Sequence, residues 1–413
     1  MRTGNRDNRE MLEQSARLLV IVALAAVSLS ACTSSNLSVS TTVVPPPPGC
    51  DTSRVVVVGA SLDLSGPDAR SGREYLTGLE LGIAKVNAGG GVPPRNTCFE
   101  LMYKDSLGSP RVDDQAMLDL VNVEKAGVVV GSFLGSSAAG YLGRLGVPAI
   151  SLSDLEDTFE PERFPDTFPV IASMRSQAFV IARALRLRRI SSVGLVVTGD
   201  RASEQGGNNF ASLSSVDGFV ITDRQIVSPS GRLAEAVVSR VRATHPDALV
   251  VLDDTGAVRS VLSARAALGW DIPVFAGPDT TEAGVLRDIG GATGGISVVV
   301  PTGALAGSGP ASAGTYTFRR NLLLHLHASS LRGSIIPYAE TYDAMTMIGT
   351  AANGSMGVVA SDLATFLQNA NYQGVLAAYT YTASAHTGVS AADQAVVPLG
   401  TLANGLLSEA PSG

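Results

Sequence analysis

Apolar residues occur along the chain in two alternating kinds of segment. Residues 54–60 form a continuous β-branched run, which is typical of a strand buried on both faces of a parallel sheet. Apolar residues then recur at helical spacing until the glycines at 89–91 end the predicted helix. Further predicted strands are 99–104, 128–130, 148–152, 193–197, 248–252, 273–276 and 296–300. Further predicted helices are 110–123, 176–187, 233–241 and 258–268. This alternation, run twice, predicts an α/β protein with two doubly wound, Rossmann-like lobes.

The N-terminal segment has the pattern of an export signal. Residues 1–17 are polar with four arginines, and residues 18–27 are an unbroken apolar run. Ten residues of helix rise only about 15 Å, half the hydrocarbon thickness of a bilayer, so a permanent span is not expected. Leu29-Ser30-Ala31-Cys32 resembles a bacterial lipobox; the alternative is an ordinary signal with an incidental cysteine. We predict a lipoprotein signal peptide in 1–31, acylation of Cys32, and an extracytoplasmic protein anchored to the membrane of a bacterium.

The segment after Cys32 predicts a tether. It is Ser-, Thr- and Val-rich and ends in four prolines at 45–48, a composition that cannot bury enough surface to order itself. The body after it is helical in pattern from Ala311 to about Leu367, and Tyr379 to Thr382 suggests a late strand. The predicted boundaries are tether 32–49, first lobe 50–172 plus 301–375, second lobe 173–300 plus 376–405, and frayed tail 406–413.

Composition excludes several classes of ligand. The chain has 413 residues, of which 45% are apolar and 16% charged, with a formal net charge of −7 and no Lys/Arg block. A surface that neutralises nucleic-acid phosphates is therefore not expected. Aromatic residues make up 5% and Trp270 is the only tryptophan, which disfavours a cleft walled with indoles for stacking sugars.

The three cysteines have two different predicted roles. Cys32 belongs to the lipobox, and Cys50 and Cys98 stand just before the first two predicted strands. Those strands are parallel neighbours in a doubly wound sheet, so their starts lie close together. We predict a Cys50–Cys98 disulfide, the alternative being two free buried thiols.

Short motifs follow the predicted strands in a characteristic order between residue 54 and about 350. They are Leu64 to Pro67, Gly78, Asn87 to Val92, Tyr103 to Ser106, Val130 to Ser132, Gly135 to Ser137, Gly146 to Ser151, Ala267 to Gly269, Phe275 to Asp279, and Tyr338 with Tyr342 to Ala344. In this order the chain resembles the solute-binding proteins of ABC importers similar to the leucine/isoleucine/valine-binding protein. The resemblance implies a type I periplasmic-binding-protein fold, in which three crossings join two lobes around a ligand cleft.

The resemblance also implies a set of ligand contacts. Gly135 and Ser136 match the turn that receives an amino-acid carboxylate, and Asp279 matches the acid that receives the ammonium group. Asp154, with Ser153 beside it, falls where the family offers a backbone carbonyl.

Other positions depart from the family pattern. Leu155 replaces a hydroxyl residue, Ser71 replaces an aromatic lid, and Gln205 and the Asp254-Thr255 pair stand near positions of tyrosines. A branched-chain amino acid is therefore not assumed as the ligand.

Strand geometry alone predicts the same region as the ligand site. Ligands of a doubly wound sheet lie beyond the carboxyl ends of its strands, and Asp154, Asp254 and Asp279 each follow a predicted strand end. Either these carboxylates face the cleft, where they favour a cationic partner, or they are helix N-caps. Residues 131–137 either present amides to an anion at a helix N-terminus or form a tight small-residue turn.

No motif predicts catalysis or a cofactor. His325 and His327 point to different faces of a helix without a carboxylate at ligand spacing, so no metal site is expected. No serine has a recognisable histidine partner. We predict a monomeric binding protein, not an enzyme, that delivers a small polar solute (an amino acid, amide or related amine) to an ABC permease. The alternatives are a solute-sensing receptor of the same fold and an anchored hydrolase.

Overall fold

The structure, a computed structural model, describes most of the chain from residue 39 onwards. The described residues are 39–51, 55–66, 69–88, 90–93, 96–131, 136–228, 230–253, 256–307, 310–354, 360–369 and 371–409, with backbone only at 136 and 310–312. The predicted signal peptide and Cys32 lie outside these ranges, as do Gly135, Asp254 and Thr255.

The first lobe contains a six-stranded sheet. Its strands are β1 (Thr42–Val44), β2 (Val55–Leu62), β3 (Cys98–Asp105), β4 (Val128–Gly131), β5 (Ala149–Ser151) and β6 (Thr167–Pro169). Their order is β1-β3-β2-β4-β5-β6, parallel except for β1, which pairs antiparallel with β3. The β-branched run predicted as the first strand is β2, whose side chains are almost all buried. Helices on both faces account for that burial.

Three helices cover this sheet. They are α1 (Ala69–Asn87), α2 (Pro110–Asn122) and α3 (Ser136–Leu145). α1 packs on one face through Leu79 and Ile83, and α2 and α3 pack on the other. α1 ends where the side-chain amide of Asn87 exchanges two hydrogen bonds of 2.8 Å with the backbone of Phe99, so the helix end is fixed to β3.

The second lobe repeats the pattern. Its parallel strands are β7 (Ser192–Thr198), β8 (Val220–Val227), β9 (Ala248–Leu252), β10 (Val274–Ala276) and β11 (Ile296–Pro301). Its helices are α4 (Met174–Leu187), α5 (Arg201–Asp217), α6 (Ala234–Ala243), α7 (Val258–Ala267) and α8 (Ala283–Asp288). The strand order, β11-β10-β9-β7-β8, reverses between β7 and β9, as the first sheet reverses between β2 and β4. The two predicted α/β lobes are therefore confirmed.

The C-terminal segment passes between the lobes more than once. It contains α9 (Pro310–His325), α10 (Ile336–Gly354), α11 (Ala360–Leu367), the strands β12 (Asn371–Gln373), β13 (Ala378–Thr382) and β14 (Ala385–His386), and finally β15 (Gln394–Pro398). α9 packs in the core of the second lobe, and α10 begins there and continues into the core of the first. β12 to β14 form a separate small sheet, and β15 returns to pair antiparallel with β11.

This packing differs from the predicted boundaries at two places. The segment 301–375 was assigned wholly to the first lobe, but Phe318 and Leu322 of α9 lie in the core of the second. The segment 376–405 was assigned to the second lobe, but Tyr379 and Tyr381 are fully buried in the core of the first. Apolar spacing identifies such elements without showing which of two cores they join.

The predicted tether is partly ordered on the body. Residues 42–44 form β1 on the outer edge of β3. Lys104 Nζ donates to the Val39 carbonyl at 3.0 Å, and Thr41 Oγ1 donates to Glu124 at 2.7 Å. The prediction of an unstructured segment up to residue 49 is therefore wrong for residues 39–44, because an unpaired strand edge supplies the hydrogen bonds that the segment cannot make alone.

The predicted disulfide is present in the structure. Cys50 and Cys98 are bonded, with Cα atoms 5.9 Å apart and a sequence separation of 48 residues. Cys98 is the first residue of β3 and is fully buried. The bond therefore attaches the segment that follows β1 to the start of the strand that β1 covers.

Candidate functional site

The carboxyl ends of the strands beside each reversal of strand order define the candidate site. In such sheets the loops that follow these strands lead to opposite faces and leave a crevice between them. In the first lobe the loops follow β2, β4 and β5, and in the second they follow β7, β9 and β10. Of the predicted ligand contacts, the six that the structure describes lie in these loops, in the first turn of α1, at the first residue of α3 or in the second turn of α5.

The loop after β5 is held in place by its own hydroxyl groups. Ser153 N donates to Ser151 Oγ at 3.1 Å, and Ser153 Oγ accepts from Leu155 N at 3.3 Å. Asp154 is buried, and its backbone carbonyl accepts from Met174 N at 3.3 Å. The N-cap position of the 3₁₀ helix that follows, Glu156–Phe159, is Leu155, which makes no side-chain capping hydrogen bond.

The loop after β7 forms the start of α5. Asp200 caps this helix by accepting from Ser203 N at 2.8 Å, and the Ser203 hydroxyl accepts from Thr198 Oγ1. Gln205 lies one turn further along the helix and donates to Asp157 of the first lobe at 3.4 Å. The structure therefore brings Gln205 to the loop after β5, through a partner that the sequence did not identify.

Asp157 is the first of the residues that sequence reasoning missed. It accepts hydrogen bonds from Arg163 and from Arg201, which is at the start of α5. The signal in the sequence was the density of acids in residues 154–157, three of four positions. That density alone does not show which of them is paired across the cleft.

A second missed residue, the buried carboxyl of Glu340, interacts electrostatically with Asp279. Asp279 is half-buried in the 3₁₀ helix Pro278–Thr281, directly after β10, and Glu340 projects from α10. Burial raises the pKa of Glu340 well above its usual range, and the charges of Asp279 and Glu282 raise it further, against a hydrogen bond to Tyr75. A cation placed beside Asp279 would offset this accumulation of negative charge. The signal that could have identified Glu340 is an acid that directly follows the mostly apolar stretch Ile335–Ala339.

The start of α1 carries the predicted contact Ser71 together with charged side chains of both signs. Gly72 has no room for a Cβ, which would overlap the Asp63 carbonyl at the end of β2, so this turn is close against the sheet. Ser71 is half-buried there. Burial raises the pKa of Glu74 to about 7, opposed by a hydrogen bond to Tyr338 and by Arg70.

The loop after β9 is described except at residues 254 and 255, and it begins with Asp253. This residue is buried, and its carboxylate accepts from Val258 N at the start of α7. The N-terminus of α7 is thus satisfied by Asp253, one residue before the predicted Asp254. In the loop after β4, α3 begins at Ser136 as expected, but the amides of 132–135 and the side chain of Ser136 lie outside the described residues.

A cavity of about 620 Å³ lies elsewhere, next to the 3₁₀ helix Thr302–Ala304 and the turn between β12 and β13. Its walls include Thr302, Gly303, Val375, Leu376 and Asp393, and none of the predicted ligand contacts. Within the described ranges, no group of three His, Cys, Asp or Glu side chains could hold a metal ion. Among the same residues, no helix is long and apolar enough to span a membrane.

Solved structures of the same architecture support the division into two lobes. An extracellular ligand-binding receptor from Rhodopseudomonas palustris HaA2 superposes with a TM-score of 0.76 at 14% identity, over 86% of this chain and 99% of that one. An ABC transporter solute-binding protein from R. palustris, in complex with 4-hydroxybenzoate, gives 0.69 at 15% identity, over 79% and 88%. The branched-chain amino acid transporter substrate-binding protein LivJ from Streptococcus pneumoniae, in complex with isoleucine, gives 0.68 at 19% identity, over 81% and 94%.

The sequence itself matches a family profile over nearly all of the folded body. The profile of the periplasmic binding protein family covers residues 55–400, from the first residue of β2 to just beyond β15. Apart from β1, both sheets fall inside that match, and so do the described strand-end loops. The chain therefore belongs to the periplasmic binding protein family and has its type I fold.

Proposed function

We propose that this protein is an extracytoplasmic, lipid-anchored solute-binding protein that passes a small polar solute to an ABC importer. A solute that contacts both lobes stabilises the closed form in proportion to its preference for that form. Family membership supports solute binding, and two structural relatives, an ABC transporter solute-binding protein and a branched-chain amino acid transporter substrate-binding protein, support the importer.

The observation that carries the choice of solute is the interaction of Asp279 with Glu340. Closure of the cleft removes water from the half-buried Asp279, and the negative charge that gathers there with Glu282 and Glu340 then favours a positively charged or donor-rich neighbour. A solute with a cationic or donor-rich group would offset that charge. We therefore place an amino acid, an amide or a related amine in the cleft.

The remaining contacts complete the proposed site. The amides of Gly135 and Ser136 receive the carboxylate of a zwitterionic solute at the start of α3. Ser153 and Asp154 line the first lobe, and Asp254 and Thr255 line the second. Ser71 gives the solute a polar lid. Gln205, which also contacts Asp157, approaches the solute from α5.

A thermal-shift and calorimetric screen of the purified protein tests the solute class. The panel contains amino acids, amides, polyamines, sugars and aromatic acids. We expect the stabilising compounds to carry a cationic or donor-rich group, and Asp279→Asn to weaken their binding ten-fold or more, because losing one partner of a buried charge pair costs about 2 to 5 kcal/mol. Asp271→Asn is the matched control. Asp271 is fully exposed and precedes the N-terminal end of β10, the strand whose C-terminal end leads to Asp279. Tight binding of an anionic or purely apolar solute would contradict the assignment.

The lipid anchor is tested separately. If Cys32 is acylated, Cys32→Ser moves the protein from the membrane fraction to the soluble fraction and leaves solute affinity unchanged. An unaltered distribution would show that the lipobox assignment is wrong.

A further inference from the structure

The loop after β5 carries a carboxylate that is shared by side chains of both lobes. Asp157 lies in the 3₁₀ helix Glu156–Phe159 and is 3% exposed. Its Oδ2 accepts from Arg163 Nη1 at 3.1 Å and from Arg201 Nη2 at 2.7 Å, and its Oδ1 accepts from Gln205 Nε2 at 3.4 Å. Three donor side chains thus compensate one nearly buried charge.

These donors differ in the lobe that carries them. Arg163 belongs to the first lobe, between the 3₁₀ helix and β6, so it stays beside Asp157 when the lobes separate. Arg201 and Gln205 lie four residues apart on α5 of the second lobe, and therefore on one face of that helix. Opening of the cleft would break the contacts of these two and spare that of Arg163.

The same loop also contacts the second lobe beside the crossing. Glu156 Oε1 accepts from Arg175 N at 2.8 Å, and the Asp154 carbonyl accepts from Met174 N. Both donors are in the first turn of α4, directly after the segment that connects the lobes. A hinge rotation displaces atoms least at this point, whereas the contacts of Asp157 reach the start of the next helix, α5.

We propose that Asp157, Arg201 and Gln205 form an interlobe latch that stabilises the closed arrangement before any solute binds. The latch rests on the hinge closure of the proposed function and is independent of the solute's identity. Hydrogen bonds between charged groups are stronger than neutral ones. The side chain of Arg201 is 59% exposed, however, so solvent weakens its share. A latch of moderate strength holds the lobes together and still lets the cleft open.

Two arginine variants separate the latch from ordinary stabilisation of the loop. Arg201→Gln removes a donor that crosses the cleft, and Arg163→Gln removes a donor to the same oxygen atom that does not cross it. Without solute, Arg201→Gln should increase the radius of gyration in small-angle scattering and speed amide exchange of residues 154–158 about three- to ten-fold. Arg163→Gln should leave both at wild-type values, and Gln205→Ala should act in the same direction as Arg201→Gln but less.

The dependence of lobe opening on salt concentration is a further test of the latch. Raising the ionic strength should open the wild-type protein toward the scattering profile of Arg201→Gln and change that variant little. Equal behaviour of the two arginine variants, or wild-type scattering and exchange in Arg201→Gln, would overturn the latch. Because these measurements use no solute, a wrong solute class leaves them interpretable. If the separation of the lobes is the same with and without every solute that binds, the proposed hinge closure fails instead.

Discussion

The two lobes share a strand order but differ in how their sheet edges are covered. Each sheet receives one antiparallel strand from an end of the body, β1 on β3 and β15 on β11. At the opposite edges, β6 of the first lobe is covered and β8 of the second is open. Tyr381 OH donates to the Pro169 carbonyl at 2.8 Å and His386 contacts the Thr167 carbonyl, so the small sheet covers β6.

β8 has no such cover among the described residues. Val220 and Ile226 on this strand are 64% and 54% exposed. The first lobe also contains the Cys50–Cys98 bond, whereas the second lobe contains no cysteine. The comparison shows that equal strand order does not imply equal reinforcement, because edges are covered by segments outside the α/β repeat.

Removal of the disulfide should have the largest effect on this difference. We expect Cys50→Ser with Cys98→Ser to lower the free energy of unfolding of the first lobe by about 3 to 4 kcal/mol, since a loop of this length loses its closure in the unfolded chain. Hydrogen exchange should show the loss in β2 and β3 and leave β9 and β10 protected. Equal loss in both lobes would mean that they unfold as one unit, and two titratable thiols in unreduced, unfolded wild-type protein would rule the bond out.

A side chain at the helix contact of the first lobe should have the next largest effect. A Cβ at Gly78 of α1 would overlap the Tyr338 carbonyl and the Thr341 hydroxyl of α10. We expect Gly78→Ala to cost about 1 to 3 kcal/mol in denaturant unfolding, because two packed backbones have to separate. Gly294→Ala is the matched control in the second lobe, where a Cβ meets nothing within 4 Å. A neutral Gly78→Ala would show that α1 and α10 adjust freely.

The pH dependence of stability should also differ between the lobes. Asp343 accepts from Val375 N at 2.7 Å, Leu376 N at 3.0 Å and Tyr379 OH at 3.1 Å, and burial raises its pKa to about 7. A carboxyl whose pKa is raised on folding contributes its full stability at pH values below its unfolded pKa. That contribution is lost as the pH rises through about 7.

We expect Asp343→Asn to reduce the decline in unfolding free energy between pH 5 and pH 8 by about 1 to 2 kcal/mol. His386 has the opposite sign: burial lowers its pKa, so its contribution is lost as the pH falls. Asp247→Asn is the control in the second lobe, where hydrogen bonds from Ser192 and Ser191 lower the pKa of Asp247. Because the pKa of Asp247 is lowered and not raised, Asp247→Asn should keep the wild-type decline of stability with pH. A wild-type decline in Asp343→Asn would show that the buried carboxyl of Asp343 is not its cause.

The smallest effect should come from β1. Val43 is 47% exposed, so little apolar burial is at stake, and a proline there interrupts the pairing with β3. We expect Val43→Pro to cost about 0.5 to 1 kcal/mol, to speed amide exchange in β3 and to increase self-association on gel filtration. Val43→Thr, which keeps the β-branch, should do none of these. Unchanged exchange in Val43→Pro would show that the first lobe does not need this edge cover.

The sequence predicted the repeated elements well because each has its own local signal. Buried runs such as residues 128–131 and 248–252 cannot alternate with polar residues when helices cover both faces, so their pattern is unmistakable. The helix that starts at Pro110 was recognised from its Ser-Pro opening, although Ser109 makes no side-chain capping bond. Helix α5 was missed, since small and polar residues make up most of its length and leave a weak apolar stripe.

The candidate site was predictable only in part. The strand ends were placed correctly because parallel strands in a sheet end at one edge. Gln205, which is predicted as a ligand contact, donates to Asp157, and the N-terminus of α7 donates to Asp253, a residue that the sequence did not single out. Which carboxylate of a loop meets a helix N-terminus depends on the local backbone direction, and no periodicity encodes that.

The sequence by itself determined the α/β alternation, the Cys50–Cys98 pair and the loops in which polar groups gather, because hydrophobic period and strand order act over short stretches of chain. The tertiary structure alone decided which core α9 and β13 join, that residues 39–44 cover an edge, and that Glu340 interacts with Asp279. These outcomes depend on surfaces far apart in sequence, where a buried charge or an unpaired strand edge selects its partner only after both lobes have formed.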